Sequence, residues 1–184
     1  RAAGATVLLC TVATNVRDCA PFLSLHKPGL DAEALARWQA AYDAGAAALR
    51  ARELRPALAH LEEAARIDDR HAATLYLRGY ARLEIGANAD GRDDLLRALD
   101  LDALRFRTDS RLNEVICSFA TGAPAGLQVI DLAASLGESF PGELCGDEWF
   151  YEHVHFNLRG TYRAARDLCG PIEADLRRRG LVAP

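Results

Sequence analysis

The 184-residue chain has no methionine, no Cys-x-x-Cys spacing and no apolar run long enough to cross a membrane. Its cysteines are odd in number, which indicates neither a zinc site nor a complete disulfide framework; they are Cys10, Cys19, Cys117, Cys145 and Cys169. The longest basic run is Arg177–Arg179 and the net charge is −4, which argues against nucleic acid as a partner. No cofactor motif is present, and the compartment stays open.

What is present is enough apolar material for a core. Half of the residues are hydrophobic and 26% are charged, which suits one good core or two small ones. The first apolar run, Ala5–Val12, begins with almost no lead-in, and position 1 is not methionine. We therefore expect that an N-terminal portion of the protein precedes Arg1.

The run Ala5–Val12 is rich in β-branched residues and predicts a parallel strand that is covered on both faces. A polar loop follows it, at the edge of a parallel sheet where ligands bind. Asn15, Arg17 and Asp18 in this loop are therefore candidates for substrate contact. The alternative is that a salt bridge and an asparagine turn simply hold the loop.

After Asp31 the apolar residues recur every three or four positions, which predicts a helix over 32–52. Asp31 is a good N-cap for this helix. Residues then recur at a spacing of 34: Gly45 and Gly79, Leu61 and Leu95, Ala64 and Ala98, Asp68 and Asp102. This pattern resembles two tetratricopeptide repeats, in which small residues let paired helices approach closely. The resemblance implies helical hairpins within 31–120 and, as a function, a short groove for a protein partner.

Two features of this helical block depart from a simple pair of repeats. Gly91 stands where the motif prefers alanine and should weaken its helix. A pair of repeats exposes an apolar end, and the segment Asp109–Ala120 is expected to cover it with Leu112, Val115, Ile116 and Phe119. The charged loop Arg105–Asp109 either caps helices or reaches the active site.

Strand character returns at Leu127–Asp131, where Asp131 is expected to be the N-cap of a short helix. A terminal helix should pack its apolar side on the sheet through residues at helical spacing: Leu158, Tyr162, Ala165, Leu168, Ile172 and Leu176. Gly170-Pro171 is expected to break or kink this helix.

The segment Trp149–Gly160 holds the residues best suited to chemistry. Histidine moves protons near neutral pH when a second group fixes its tautomer. Glu152, three positions before His155, can accept the Nδ1 proton and leave Nε2 as a base. Two alternatives stay open: Glu152 and His155 as a helix cap or surface pair, and a metal site at His153 and His155 that needs further ligands.

Glu152-x-x-His155, with Phe150 before it and Gly160 and a small-residue helix after it, resembles the last conserved block of SGNH/GDSL hydrolases. That block usually reads Asp-x-x-His and completes a Ser-His-Asp triad. The resemblance implies that His155 is the general base, that Glu152 orients it, and that His153 is structural. It implies an α/β fold: a partial three-layer flavodoxin-like sheet from 1–30 and 121–184, with the all-α helical-hairpin insertion at 31–120.

The activity implied is that of a serine esterase acting on a carboxylic or carbohydrate ester. The nucleophile is missing, because no Gly-Asp-Ser block occurs and each serine has the wrong context: Ser24, Ser110, Ser118, Ser135 and Ser139. The Gly and Asn oxyanion donors are also absent. We therefore expect no esterase activity from these residues alone. The alternatives are a repeat module that binds a protein, and a metal-dependent hydrolase.

Overall fold

A computed structural model of the chain describes residues 5–138 and 140–183, which form a mixed α/β structure. Its elements, in chain order, are β1 (Val7–Cys10), α1 (Ala32–Arg50), α2 (Leu54–Ile67), α3 (Ala72–Glu84), α4 (Asn88–Asp100), α5 (Ser110–Ser118), β2 (Leu127–Ile130), α6 (Leu132–Gly137) and α7 (Leu158–Arg178). One turn of 3₁₀ helix at Pro141–Glu143 precedes residues 149–157, which we call the histidine loop. None of the helices in these ranges is long and apolar enough to cross a membrane.

The sheet of the described residues has two strands. β1 and β2 pair in parallel, with Val7 opposite Leu127 and Cys10 opposite Ile130. The prediction that the first strand is covered on both faces is wrong, because Val7 is 54% exposed. Each of these strands has only one neighbour in the described sheet, so solvent reaches much of their surface.

The helical block consists of two antiparallel hairpins, α1 with α2 and α3 with α4. The predicted first helix is confirmed, and the Asp31 side chain accepts a 2.7 Å hydrogen bond from the Ala34 amide. Gly45 lies so close to Leu61 that a Cβ on it would be 2.7 Å from Leu61 Cγ. Gly79 meets Leu95 in the same way. The residues that recur at 34 positions therefore make the same contact in both hairpins.

Gly91 has a packing role that its low helix propensity does not predict. A Cβ at this position would lie 2.7 Å from Leu83 Cδ2 and 3.0 Å from the Gly79 carbonyl oxygen. The glycine lets α3 and α4 come closer than an alanine would allow.

Three predictions about the later helices are wrong. α5 contacts α4 and β2, yet its Leu112, Val115 and Phe119 stay about half exposed, so they do not cover the end of the repeats. α7 buries Gly160 and Ala164 instead of the predicted stripe, and Leu158 is 82% exposed. The helix also continues through Pro171 to Arg178, so the predicted break does not occur, because proline removes only one amide from the helix. The kink that was the alternative to a break stays a prediction.

Two apolar clusters hold the molecule together. One lies beneath the histidine loop, between α6 and α7, and consists of Ala13, Leu132, Leu136, Cys145, Trp149, Phe150 and Ala164. The other joins the helical block to the loop after β1 and to the segment before the histidine loop, and consists of Val16, Leu83, Leu95, Leu99 and Leu144. The loop after β1 and the segment before the histidine loop each contribute to both clusters, so they connect the two parts of the fold.

Candidate catalytic site

The histidine loop closes on itself as an irregular hairpin before α7 begins. The Tyr151 amide donates to the His155 carbonyl and the Asn157 amide to the Trp149 carbonyl, both at 2.9 Å. Phe150 and Phe156 face each other across this hairpin with stacked rings. Asn157 then caps α7 by accepting a hydrogen bond from Gly160. These bonds fix the backbone that carries the candidate catalytic residues.

Glu152 and His155 come together as the sequence predicts. Glu152 Oε1 lies 2.6 Å from His155 Nδ1, and the same oxygen accepts the main-chain amides of His155 and Val154. The His155 side chain is 79% exposed, so its ring is accessible from solvent. Partial desolvation acts against ionisation, but the amides of His155 and Val154, the hydrogen bond from the His155 ring and the charge of His153 together outweigh it and lower the pKa of Glu152 to about 2. The carboxylate is therefore ionised at neutral pH.

His153 binds the same carboxylate through its Nδ1 and Glu152 Oε2. Its ring also makes an edge contact with the Phe22 ring, at a centroid distance of 5.1 Å. In the described ranges, no group of three or more His, Cys, Asp and Glu side chains is arranged to hold a metal ion. Through its contacts with Glu152 and Phe22, His153 connects the histidine loop to the loop after β1.

Asn15 lies directly behind the histidine loop and is 1% exposed. Its side-chain amide donates to Asp147 Oδ1 at 2.8 Å and to the Glu152 carbonyl at 3.2 Å, while its own main-chain amide donates to the His153 carbonyl. Its Oδ1 accepts the Asp18 amide at 3.0 Å. These bonds give Asn15 a clear role in supporting the loop, and its contact with substrate stays a prediction.

Arg17 and Asp18 form the salt bridge that was the alternative to a substrate role. Arg17 also pairs with Glu148, and Asp18 Oδ2 accepts the Asp147 amide at 2.9 Å. Both side chains thus bind the segment that leads into the histidine loop. A role for either in substrate contact stays a prediction.

Arg107 is the residue that sequence reasoning missed. It is 6% exposed, and its Nη1 donates to the carbonyls of Asn15 at 2.8 Å and Cys19 at 2.7 Å. Its Nη2 lies 3.4 Å from Asp102, at the end of α4. Asp109 caps α5, so the prediction that the charged loop caps a helix is confirmed. Arg107 binds the backbone of the loop after β1, and contact of the charged loop with an active site stays a prediction. The only sequence signal for Arg107 is its place five residues after the recurring Asp102.

The serines that the structure describes make their hydrogen bonds away from His155. Ser24 accepts the Ala73 amide, Ser110 donates to Asp100, Ser118 to the Val115 carbonyl and Ser135 to Asp167. Ser139 lies outside the described residues. Among the described residues, Glu152 and His155 are thus brought together without a hydrogen bond to a serine side chain.

Comparison of the chain with protein-family models, with curated proteins and with solved structures gives no match.

Proposed function

We propose that this chain supplies the general base His155 and its orienting acid Glu152 to a serine esterase of SGNH type. The observation that carries the proposal is the 2.6 Å contact between Glu152 Oε1 and Nδ1 of an exposed His155. In this proposal β1 and β2 are neighbouring strands of a three-layer flavodoxin-like sheet, and the helical block is an insertion between them.

The geometry supports one proton pathway. Nδ1–H of His155 donates to the ionised Glu152, so Nε2 carries the free lone pair. Nε2 takes the proton of a serine hydroxyl as that oxygen attacks an ester carbonyl, and then gives the proton to the departing alkoxide. Glu152 stabilises the imidazolium between these steps. The serine and the oxyanion donors come from outside the described residues, and the substrate is a carboxylic or carbohydrate ester.

A first consequence is that the 184-residue chain alone does not turn over esters. Its hydrolysis of p-nitrophenyl acetate should match that of the His155→Ala variant, since a base without a nucleophile and oxyanion donors gives little rate. Turnover that His155→Ala abolishes would contradict this expectation.

The decisive test extends the chain with the coding sequence that precedes Arg1. That sequence should encode a Gly-Asp-Ser block, and the longer protein should hydrolyse the aryl ester. His155→Ala should then lower kcat by about 10³-fold or more, and Glu152→Gln by less. Glu173→Gln, an exposed change on α7, serves as the control. Absence of the block, or activity that survives His155→Ala, would overturn the proposal.

A second candidate function is protein binding by tetratricopeptide-like repeats. One observation favours it: Asp68 and Asp102, at equivalent positions of the two hairpins, both bind main-chain amides of the segment 22–27. Asp102 accepts the amides of Phe22 and Leu23, and Asp68 accepts that of Lys27. Main-chain recognition is independent of side chains, so the same positions suit another extended peptide.

In this second candidate a protein partner displaces the chain's own segment from the repeats. Hydrogen exchange at the Phe22 and Leu23 amides should then accelerate when the partner binds. Binding that leaves both exchange rates unchanged would exclude this surface.

A further inference from the structure

A cavity of about 320 Å³ lies between the sheet and the helical block, away from Glu152 and His155. One wall follows the carboxyl ends of the strands, with Val12 and Thr14 after β1 and Asp131 after β2. The opposite wall comes from α4 and α5. The carboxyl edge of a parallel sheet is where ligands bind, and this volume suits a small molecule.

The floor of the cavity is apolar. It is formed by Val16, Leu99 and Leu144, which are 8%, 7% and 4% exposed and belong to the cluster that joins the helical block to the loop after β1. An apolar ligand body placed there removes further hydrocarbon surface from water.

Thr14 is the polar group on the inner wall. The residue is only 4% exposed, and its hydroxyl makes no hydrogen bond to any residue of the described ranges. Its neighbour Asn15 points the other way, to Asp147 and the histidine loop. The hydroxyl can therefore bond to a polar ligand atom placed at this wall.

The rim of the cavity is negative. It carries the carboxylates of Glu114, Asp131 and Glu143 against one guanidinium, Arg92, which donates to the carbonyls of Gly142 and Glu143. The side chains of Glu114 and Glu143 form no ion pair with a described residue. A fourth lining acid, Asp109, is already paired with Arg105 and Arg111.

We propose that this cavity binds a small organic cation, an ammonium group on an apolar body that also carries a hydroxyl. The body lies on the floor of Val16, Leu99 and Leu144. The ligand hydroxyl bonds to Thr14, and the ammonium lies beside Glu114 and Glu143. An anionic ligand of the same shape is rejected by the rim.

Four probes of one shape separate these contributions. Tyramine has both the ammonium and the phenol hydroxyl, phenethylamine lacks the hydroxyl, tyrosol is neutral and 4-hydroxyphenylacetate is an anion. Binding to the full chain is followed by amide NMR shifts, which should be largest at Thr14 and Asn113. Tyramine should bind about tenfold more tightly than phenethylamine or tyrosol, and the anion should not bind at the same concentrations.

Two variants assign the effects to residues. Thr14→Val should lower the affinity for tyramine to that for phenethylamine. The double variant Glu114→Gln with Glu143→Gln should lower the affinity for tyramine to that for tyrosol and leave the affinity for tyrosol unchanged. Both glutamates are exposed, so this double variant tests the proposal even where Thr14→Val unfolds.

Glu173→Gln, on the distant α7, should change nothing. Equal binding of tyramine and 4-hydroxyphenylacetate, or unchanged tyramine binding in the double glutamine variant, would overturn the proposal. The absence of shifts at Thr14 and Asn113 with millimolar tyramine would overturn it as well.

Discussion

Glu152 orients His155 through two hydrogen bonds to one oxygen. Oε1 accepts both the ring Nδ1 and the main-chain amide of His155, each at 2.6 Å. The carboxylate therefore fixes the ring relative to its own backbone. The second oxygen is left for His153.

His71 is a buried histidine whose protonation state should control stability in mild acid. It is 8% exposed and stacks on His26. Burial, and then the charge of His26, lower the pKa of His71 from 6.5 to about 4. Between these two pH values His71 is protonated in the unfolded chain but not in the folded chain. The free energy of unfolding should therefore fall by about 1–3 kcal/mol as pH drops from 6.5 to 4.

His71→Asn tests this prediction, because asparagine keeps the N-cap of α3 and does not titrate. The native chain should lose stability relative to His71→Asn below pH 6.5 in urea unfolding. His60→Asn, an exposed change on α2, is the control and should follow the native chain. Parallel pH curves for the native chain and His71→Asn would show that protonation of His71 does not control stability in mild acid.

At the scale of elements, the close approach of α3 and α4 at Gly91 gives a sharp prediction. Gly91→Ala improves helix propensity by about 1 kcal/mol. It also drives a Cβ to within 2.7 Å of Leu83 and 3.0 Å of the Gly79 carbonyl. We expect a net loss of about 1–3 kcal/mol in urea unfolding.

Gly170→Ala on α7 is the matched control, since a Cβ there meets nothing within 4 Å. Pro171 follows it and offsets part of the gain in helix propensity, so stability should stay within about 0.5 kcal/mol of the native chain. Equal changes in the free energy of unfolding for Gly91→Ala and Gly170→Ala would show that the close approach of α3 and α4 does not limit the size of residue 91.

Substitutions of the adjacent acids Asp68 and Asp69 test which side chain holds the segment after β1 on the helical block. Asp68 is fully buried and accepts the amides of Lys27 and Arg70 and His26 Nδ1, whereas Asp69 pairs with Lys27 at the surface. Asp68→Asn should cost about 1–3 kcal/mol and Asp69→Asn less than about 0.5 kcal/mol. Equal losses in urea unfolding would show that burial of Asp68 contributes nothing.

Local signals predicted some elements well and others poorly. The N-caps at Asp31 and Asp131 and the contacts of Gly45 and Gly79 depend on residues close in sequence or repeated at a fixed spacing. Local signals could not predict which residues of α5 and α7 are buried. Periodicity shows that a helix has an apolar side, but it does not show which other element covers that side. Leu158 heads the predicted stripe of α7 and is the most exposed large apolar residue described.

At the scale of the whole molecule, the candidate site depends on contacts between segments far apart in the chain. Asn15 binds the Glu152 carbonyl, and Arg107 binds the Asn15 carbonyl. The sequence predicted the Glu152–His155 pair because only three positions separate them. It could not predict Arg107, whose partner lies 92 positions earlier.

The proposed esterase chemistry requires that Glu152 hold His155 with Nε2 free to accept a proton. Nitrogen-15 NMR of the histidine rings tests it most directly, at a pH about two units above the ordinary histidine pKa of about 6.5. We expect His155 to carry its proton on Nδ1 in the native chain and mainly on Nε2 in Glu152→Gln, while Glu173→Gln matches the native chain. The same tautomer in the native chain and in Glu152→Gln would contradict it.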